Sequence, residues 1–185
     1  MNPITRNNFI VITGGPGAGK TTLIRELEQR GYRCIEEVAR RLIAEQLEAG
    51  GDALPWQDKE RYKQLMFDRS VAAYRDTPDE DKPVFFDRGL PDTLCYAALE
   101  GLQISDEMKV LAAGLRYHTT VFLLPPWQAI YHTDRERKQD WQEAVRTAAL
   151  MEQTYTDYGY RPVTVPTGPV AARADFVLQT LANGG

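Results

Sequence analysis

Cysteine and histidine are scarce in this 185-residue chain, two of each. Cys34 and Cys95 lie 61 positions apart, with no CxxC and no nearby histidine, so neither a zinc site nor a disulfide framework is suggested. Reduced thiols and a cytoplasmic location are the expectation. Basic excess is missing too. A formal net charge of -4 and a pI near 5.3 argue against general nucleic-acid binding, which shows as a basic domain or stripe. No apolar run approaches bilayer length, and the short one after MNPITRNN ends at glycines too soon for a signal-peptide core with a cleavage site. The expected partners therefore include no nucleic acid and no membrane. Internal repeats and low-complexity tracts are absent. No NKxD-like base-recognition segment occurs, which disfavours a Ras-like GTPase without excluding GTP.

What is present is an ordinary globular composition, 43% hydrophobic and 26% charged, in a length that fits one domain over 1–185. Of the 22 basic residues 16 are Arg, whose planar fork suits phosphate and carboxylate. Phe9 to Thr13 (FIVIT) reads as a strand buried on both faces, and Lys20 to Arg30 as a helix stopped by Gly31. Further strands are predicted at Tyr32 to Ile35, Val84 to Phe86, Thr120 to Leu124 and Val163 to Val165. Helices are predicted at about Glu36 to Ala49, Asp58 to Arg75, Pro91 to Glu100, Asp106 to Tyr117, Trp141 to Tyr158 and Pro169 to Leu181. This alternation gives an α/β fold, a parallel sheet with helices on both faces. Residues 50–82 read as a helical insertion beside the core, a candidate lid or acceptor-binding arm.

GGPGAGKT matches G-x-x-x-x-G-K-[ST], with Gly14, Gly19, Lys20 and Thr21 at the required positions. Glycines let backbone N–H groups converge on phosphate oxygens, and the helix that follows adds its positive end. The nucleotide-binding set is Gly14, Gly15, Pro16, Gly17, Ala18, Gly19, Lys20, Thr21 and Thr22. Lys20, taken as an exposed loop lysine, places a point charge against the β- and γ-phosphates. The Thr21 hydroxyl reaches Mg²⁺. A chance match to a Gly-rich turn is the competing reading. The flanking buried strand and amphipathic helix decide for the loop.

In VFFDRG, Asp87 ends a strand and is the second candidate metal contact. Motor-type ATPases follow that Asp with a water-activating Glu, whereas Arg88 follows here, a pairing more like that of P-loop kinases. Asp87 can orient or deprotonate an acceptor hydroxyl, and Arg88 can hold acceptor or transferred phosphate. The plainer alternative is a solvated Asp-Arg-Gly turn. Glu37 and Arg40 fit either an acceptor grip or a surface ion pair at helical spacing. Residues 127–140, with the run DRERK, read either as a lid whose Arg135 and Arg137 act catalytically or as a solvated face. Trp56 suits ring stacking and plain packing equally, and Asp92 completes the acceptor candidates.

TGGPGAGKTTL, EEVAR, GGDALPWQD, VFFDRGLPD, FLLPPW with IYHTDRERKQ, and GYRPVTVP together resemble the NadR-like AAA-domain family of small P-loop ATPases and kinases, related to nicotinamide riboside kinases. The resemblance runs from Phe9 to about Arg173. It implies a P-loop NTPase fold with a kinase-like five-stranded parallel sheet of order 2-3-1-4-5, and ATP or GTP on the phosphate loop. It implies either phosphoryl transfer or a binding role. It carries over no substrate and no adenylyltransferase activity. The expectation is a Mg²⁺-dependent, ATP- or GTP-using kinase of a small-molecule acceptor. The alternative is a nucleotide-dependent regulatory switch with slow hydrolysis.

Overall fold

The computed structural model describes residues 3–128 and 141–184. In chain order the elements are β1 (Ile4–Thr5), β2 (Phe9–Gly14), α1 (Lys20–Gln29), β3 (Arg33–Ile35), α2 (Val38–Ala49), α3 (Lys59–Asp76) and β4 (Val84–Asp87). They continue as α4 (Leu90–Leu99), α5 (Asp106–Gly114), β5 (Leu115–Arg116), β6 (Thr120–Leu124), α6 (Trp141–Asp157), β7 (Arg161–Thr164) and α7 (Val170–Ala182). The main sheet runs β3-β4-β2-β6-β7 with every pair parallel. Counting only its own strands along the chain, this is the order 2-3-1-4-5 that the resemblance implied.

Central strand β2 is buried at all six positions, because parallel crossovers leave helices on both faces of the sheet. Its side chains alternate between two clusters, as the pleat demands. Phe9 and Val11 join Phe86, Leu90 and Tyr117. Ile10 and Ile12 join Phe85, Phe122 and Leu124, under Leu23 and Leu27 of α1 and Ala174 and Val177 of α7.

Helix α3 begins where the Asp58 side chain accepts from the Arg61 N–H at 2.9 Å, satisfying one of the free donors of the first turn. Its Phe67, Val71 and Tyr74, spaced four and three apart, enter the cluster of Phe9 and Phe86. The expected insertion is thus built into the layer that covers the sheet. A second difference concerns Asp106 to Tyr117, where the helix ends at Gly114 and the chain turns into β5 to pair with β1, Ile4 opposite Leu115. This two-stranded ribbon is held by Tyr74, whose hydroxyl lies 2.8 Å from the carbonyl oxygens of both Ile4 and Arg116. Among the described residues no helix is long and apolar enough to cross a membrane.

Parallel order brings the carboxyl ends of β2, β3, β4 and β6 to one edge of the sheet, the edge that binds ligands in open α/β folds. Gly14 ends β2 there with φ +152°, and a Cβ at this position would sit 2.7 Å from the Leu124 carbonyl oxygen. Only glycine fits so close to β6.

Candidate active site

The phosphate loop connects β2 to α1 through Gly17 and Gly19, both left-handed, with φ +74° and +77°. Gly19 caps α1, whose first turn carries no acidic side chain, so its N–H groups are open to an anion. Lys20 is not exposed as expected. It is only 6% exposed, because Asp87 at the end of β4 pairs with its ammonium and Glu37, just ahead of α2, lies 3.4 Å away. The register that sets Ile12 opposite Asp87 puts this carboxylate beside the end of β2.

From there the charges form one network. Arg88 Nε donates to Glu37 Oε1 at 2.9 Å, and its Nη1 to Asp92 Oδ1 at 3.1 Å. Arg40 Nη2 lies 3.3 Å from Glu37 Oε2 and 3.5 Å from the Thr21 hydroxyl oxygen. Lys20, Thr21, Glu37, Arg40, Asp87, Arg88 and Asp92, all singled out from sequence, therefore meet, with Glu37 as the shared partner of three cations. Trp56 is not brought in. It stands 61% exposed between α2 and α3. Arg135 and Arg137, with positions 129–140 of the expected lid, lie outside the described residues.

Burial works against ionisation of Glu37, but Arg88, Lys20 and Arg40 outweigh it and hold the carboxyl below its ordinary value. For Asp87 burial prevails over Lys20 and raises the carboxyl above the usual aspartate range, which strengthens it as a proton acceptor. Burial opposes the charge of Arg88, yet Asp92 and Glu37 raise its pKa further. Arg88 is also the one non-glycine residue with positive φ among those described, +77°, held there by its two ion pairs and by its N–H bond to the Ile12 carbonyl at 3.0 Å.

Asp92 takes part differently from the other carboxylates. It accepts from the Thr13 and Tyr155 hydroxyls, from the Gly89 N–H at 2.9 Å and from Arg88, so β2, α4, α6 and the strand-end arginine meet on its two oxygens. Asp92→Ala leaves two buried hydroxyls without this acceptor and Arg88 with Glu37 alone. A loss of roughly 3 kcal/mol is expected, read as a thermal midpoint lower by roughly 6–12 °C. An unchanged midpoint would remove Asp92 from this role.

Beside the network lies a small cleft open to solvent. Val38 and Ala39 of α2, Met66, Ser70 and Ala73 of α3, and Tyr117 form walls, while Asp87, Arg88 and Asp92 supply polar groups. Sequence reasoning missed these wall residues, which carry no local signature of a site and meet only through the packing of α2 and α3. It also missed Arg173, which is 4% exposed and donates to the carbonyls of Ala18 and Gly19 at 3.3 Å. For a metal, the Thr21 hydroxyl and the Asp87 carboxylate are hard oxygen donors, next to Lys20 in the chain and paired with its ammonium respectively. That fits Mg²⁺, which takes one or two protein oxygens and completes its shell with phosphate and water.

Comparison with known proteins agrees with this geometry. A family model described as an AAA domain matches residues 9–173. A nucleotide-binding protein of Rubrobacter xylanophilus is 44% identical over 52 residues, 27% of this chain and 17% of that protein. Among solved structures, NadR protein in complex with NR superposes with a TM-score of 0.69 at 18% identity, over 96% of this chain. The chain spans half the length of that NadR chain. Deoxyadenosine kinase from M. mycoides superposes at 0.58 and 16% identity, over 95% of this chain and 99% of its own. Shikimate kinase from Acinetobacter baumannii superposes at 0.54 and 19% identity, over 95% and 93%. Such likeness shows a P-loop, kinase-like fold. By the extent of the family match, the chain belongs to this AAA-domain family, and its fold is that of the P-loop kinases.

Proposed function

We propose that the protein is a small-molecule kinase that moves the γ-phosphoryl group of ATP or GTP to an acceptor hydroxyl. The observation that carries this reading is the pairing of Lys20 with Asp87 at the rim of the cleft. A phosphate-directed cation and a carboxylate able to take a proton stand side by side where nucleotide and acceptor would meet. Gly14 to Thr22 holds the triphosphate, and Lys20 leaves Asp87 for the phosphates as they enter. The acceptor lies against Val38, Met66 and Tyr117 with its hydroxyl toward Asp87. The hydroxyl oxygen forms the new bond to the γ-phosphorus, the bond to the bridging oxygen breaks, and the hydroxyl proton passes to Asp87. Arg88, fixed by Glu37 and Asp92, faces the transferred charge. Mg²⁺ held by the Thr21 hydroxyl, with Asp87 reaching it through water, would neutralise charge on the phosphate oxygens.

The test is mass spectrometry of a metabolite pool incubated with the protein and Mg-ATP or Mg-GTP, paired with an assay of diphosphate release. One compound gaining a phosphate, with diphosphate formed in proportion, is the expected result. Diphosphate release that no metabolite accelerates would instead support the regulatory switch with slow hydrolysis.

A further inference from the structure

Arg173 is placed against three ordinary preferences. It is buried to 4% exposure, and among the described residues no carboxylate pairs with it. It sits in the first turn of α7, its N–H bonded to the Pro169 carbonyl at 3.1 Å, where the helix dipole disfavours a cation and no acidic side chain offsets it. The Trp127 ring closes over it with its centroid 5.7 Å from the guanidinium carbon. Burial accordingly lowers its pKa. Nor is it needed to dock α7 on α1. Ala174 and Val177 pack with Leu23 and Leu27, and Arg30 of α1 reaches both Asp175 at 2.6 Å and the Ala171 carbonyl at 3.2 Å.

What the guanidinium does touch is the back of the phosphate loop. Its nitrogens donate to the Ala18 and Gly19 carbonyl oxygens, each at 3.3 Å. Each carbonyl belongs to a peptide unit whose other end is the N–H of Gly19 or of Lys20. A cation on the carbonyl draws electron density through the unit and makes that N–H a stronger donor. It also fixes the two peptide planes, so that the N–H groups keep their direction.

We infer that Arg173 is a positioning residue for nucleotide phosphate, a buried cation behind the loop that orients and polarises the Gly19 and Lys20 amides and whose counter-charge is the bound phosphate itself. This rests on the reading that the loop binds a nucleotide. It goes beyond that reading by giving phosphate affinity to a residue 154 positions from Gly19 that would never touch the ligand.

The experiment compares wild-type protein with Arg173→Met and Arg173→Lys. Calorimetry gives the affinities for Mg-ADP and Mg-ATP, amide spectra follow Gly19 and Lys20, and thermal unfolding is measured without nucleotide. Arg173→Met is expected to weaken both nucleotides by about tenfold or more, the scale of a charge-assisted hydrogen bond. Arg173→Lys should recover part of this. In the Mg-ADP complex the two amide protons should move upfield in Arg173→Met, while the midpoint without nucleotide stays within a few degrees of wild type. Unchanged Mg-ADP affinity in Arg173→Met overturns the inference and leaves the nucleotide reading standing. Equal losses in both variants that track a fall in the midpoint also overturn it, in favour of plain packing. Should Arg173→Met fail to fold, Arg173→Lys decides alone, by weakened affinity at an unchanged midpoint. If the wild type itself does not bind Mg-ADP, the nucleotide reading and the inference fall together.

Discussion

Lys20→Ala is expected to weaken Mg-nucleotide binding by at least about 100-fold, the scale of one or two lost charge-assisted hydrogen bonds, and to bring turnover to background. The loop's N–H groups and the end of α1 still attract phosphate, but the only charged group of the loop is gone. A second effect follows from its burial. Asp87 and Glu37 both converge on the ammonium, so its removal leaves two carboxylates facing one another without their shared cation. The fold survives, because neither large apolar cluster relies on Lys20, yet the site should loosen locally. Calorimetry with Mg-ATP and circular dichroism on the same sample check both halves. Normal affinity and turnover in a folded variant would sink the phosphate-loop assignment.

Asp87→Asn separates chemistry from binding. Asparagine keeps the shape but takes no proton, and it releases Lys20 from its closest partner. Turnover should therefore fall on the order of 10²–10⁴-fold, the range of a lost general base, while nucleotide affinity changes by less than about tenfold. Affinity should hold or rise, since the lysine no longer leaves a carboxylate to meet phosphate. Single-turnover kinetics with saturating nucleotide, beside Kd for Mg-ADP, make the comparison. Equal losses in both quantities, or failure to fold, would move Asp87 to a ground-state or structural part.

Much of this was legible in the sequence where local chemistry decides. FIVIT and TVFLL are apolar, rich in β-branched residues and closed by Gly or Pro, and they became β2 and β6. The phosphate loop is a contiguous pattern, and the acceptor candidates at Glu37, Arg40, Arg88 and Asp92 were found by their places after strands. What local pattern cannot carry is which side chains meet. The burial of Lys20 depends on Glu37 and Asp87, 17 and 67 positions away. Asp92, read as an acceptor contact, is filled by Thr13 and Tyr155, 79 and 63 positions away. The strands β1 and β5, two residues each, exist only because they pair with one another, and nothing in Ile4–Thr5 announces a strand. Helix α3 looked peripheral because its mixed composition hid Phe67. An arginine beginning a small-residue helix, as in VAARAD, was the one available hint of Arg173.

The division of labour between elements bears on how such a protein changes over time. On the proposed reading, the groups that handle phosphate lie on the β2–α1 loop and at the end of β4, with Glu37 after β3 holding Arg88. The cleft walls are side chains of α2 and α3, among them Val38, Ala39, Met66, Ser70 and Ala73. A substitution there reshapes the space for a guest without touching the phosphate loop, and at the half-buried Val38, Ala39, Ser70 and Ala73 it disturbs less packing than in the core. Met66, unbranched and adaptable, suits such drift. Heritable variation in the cleft can therefore accumulate while the phosphate-handling half stays unaltered, so that a new acceptor is reached through small steps on two helices.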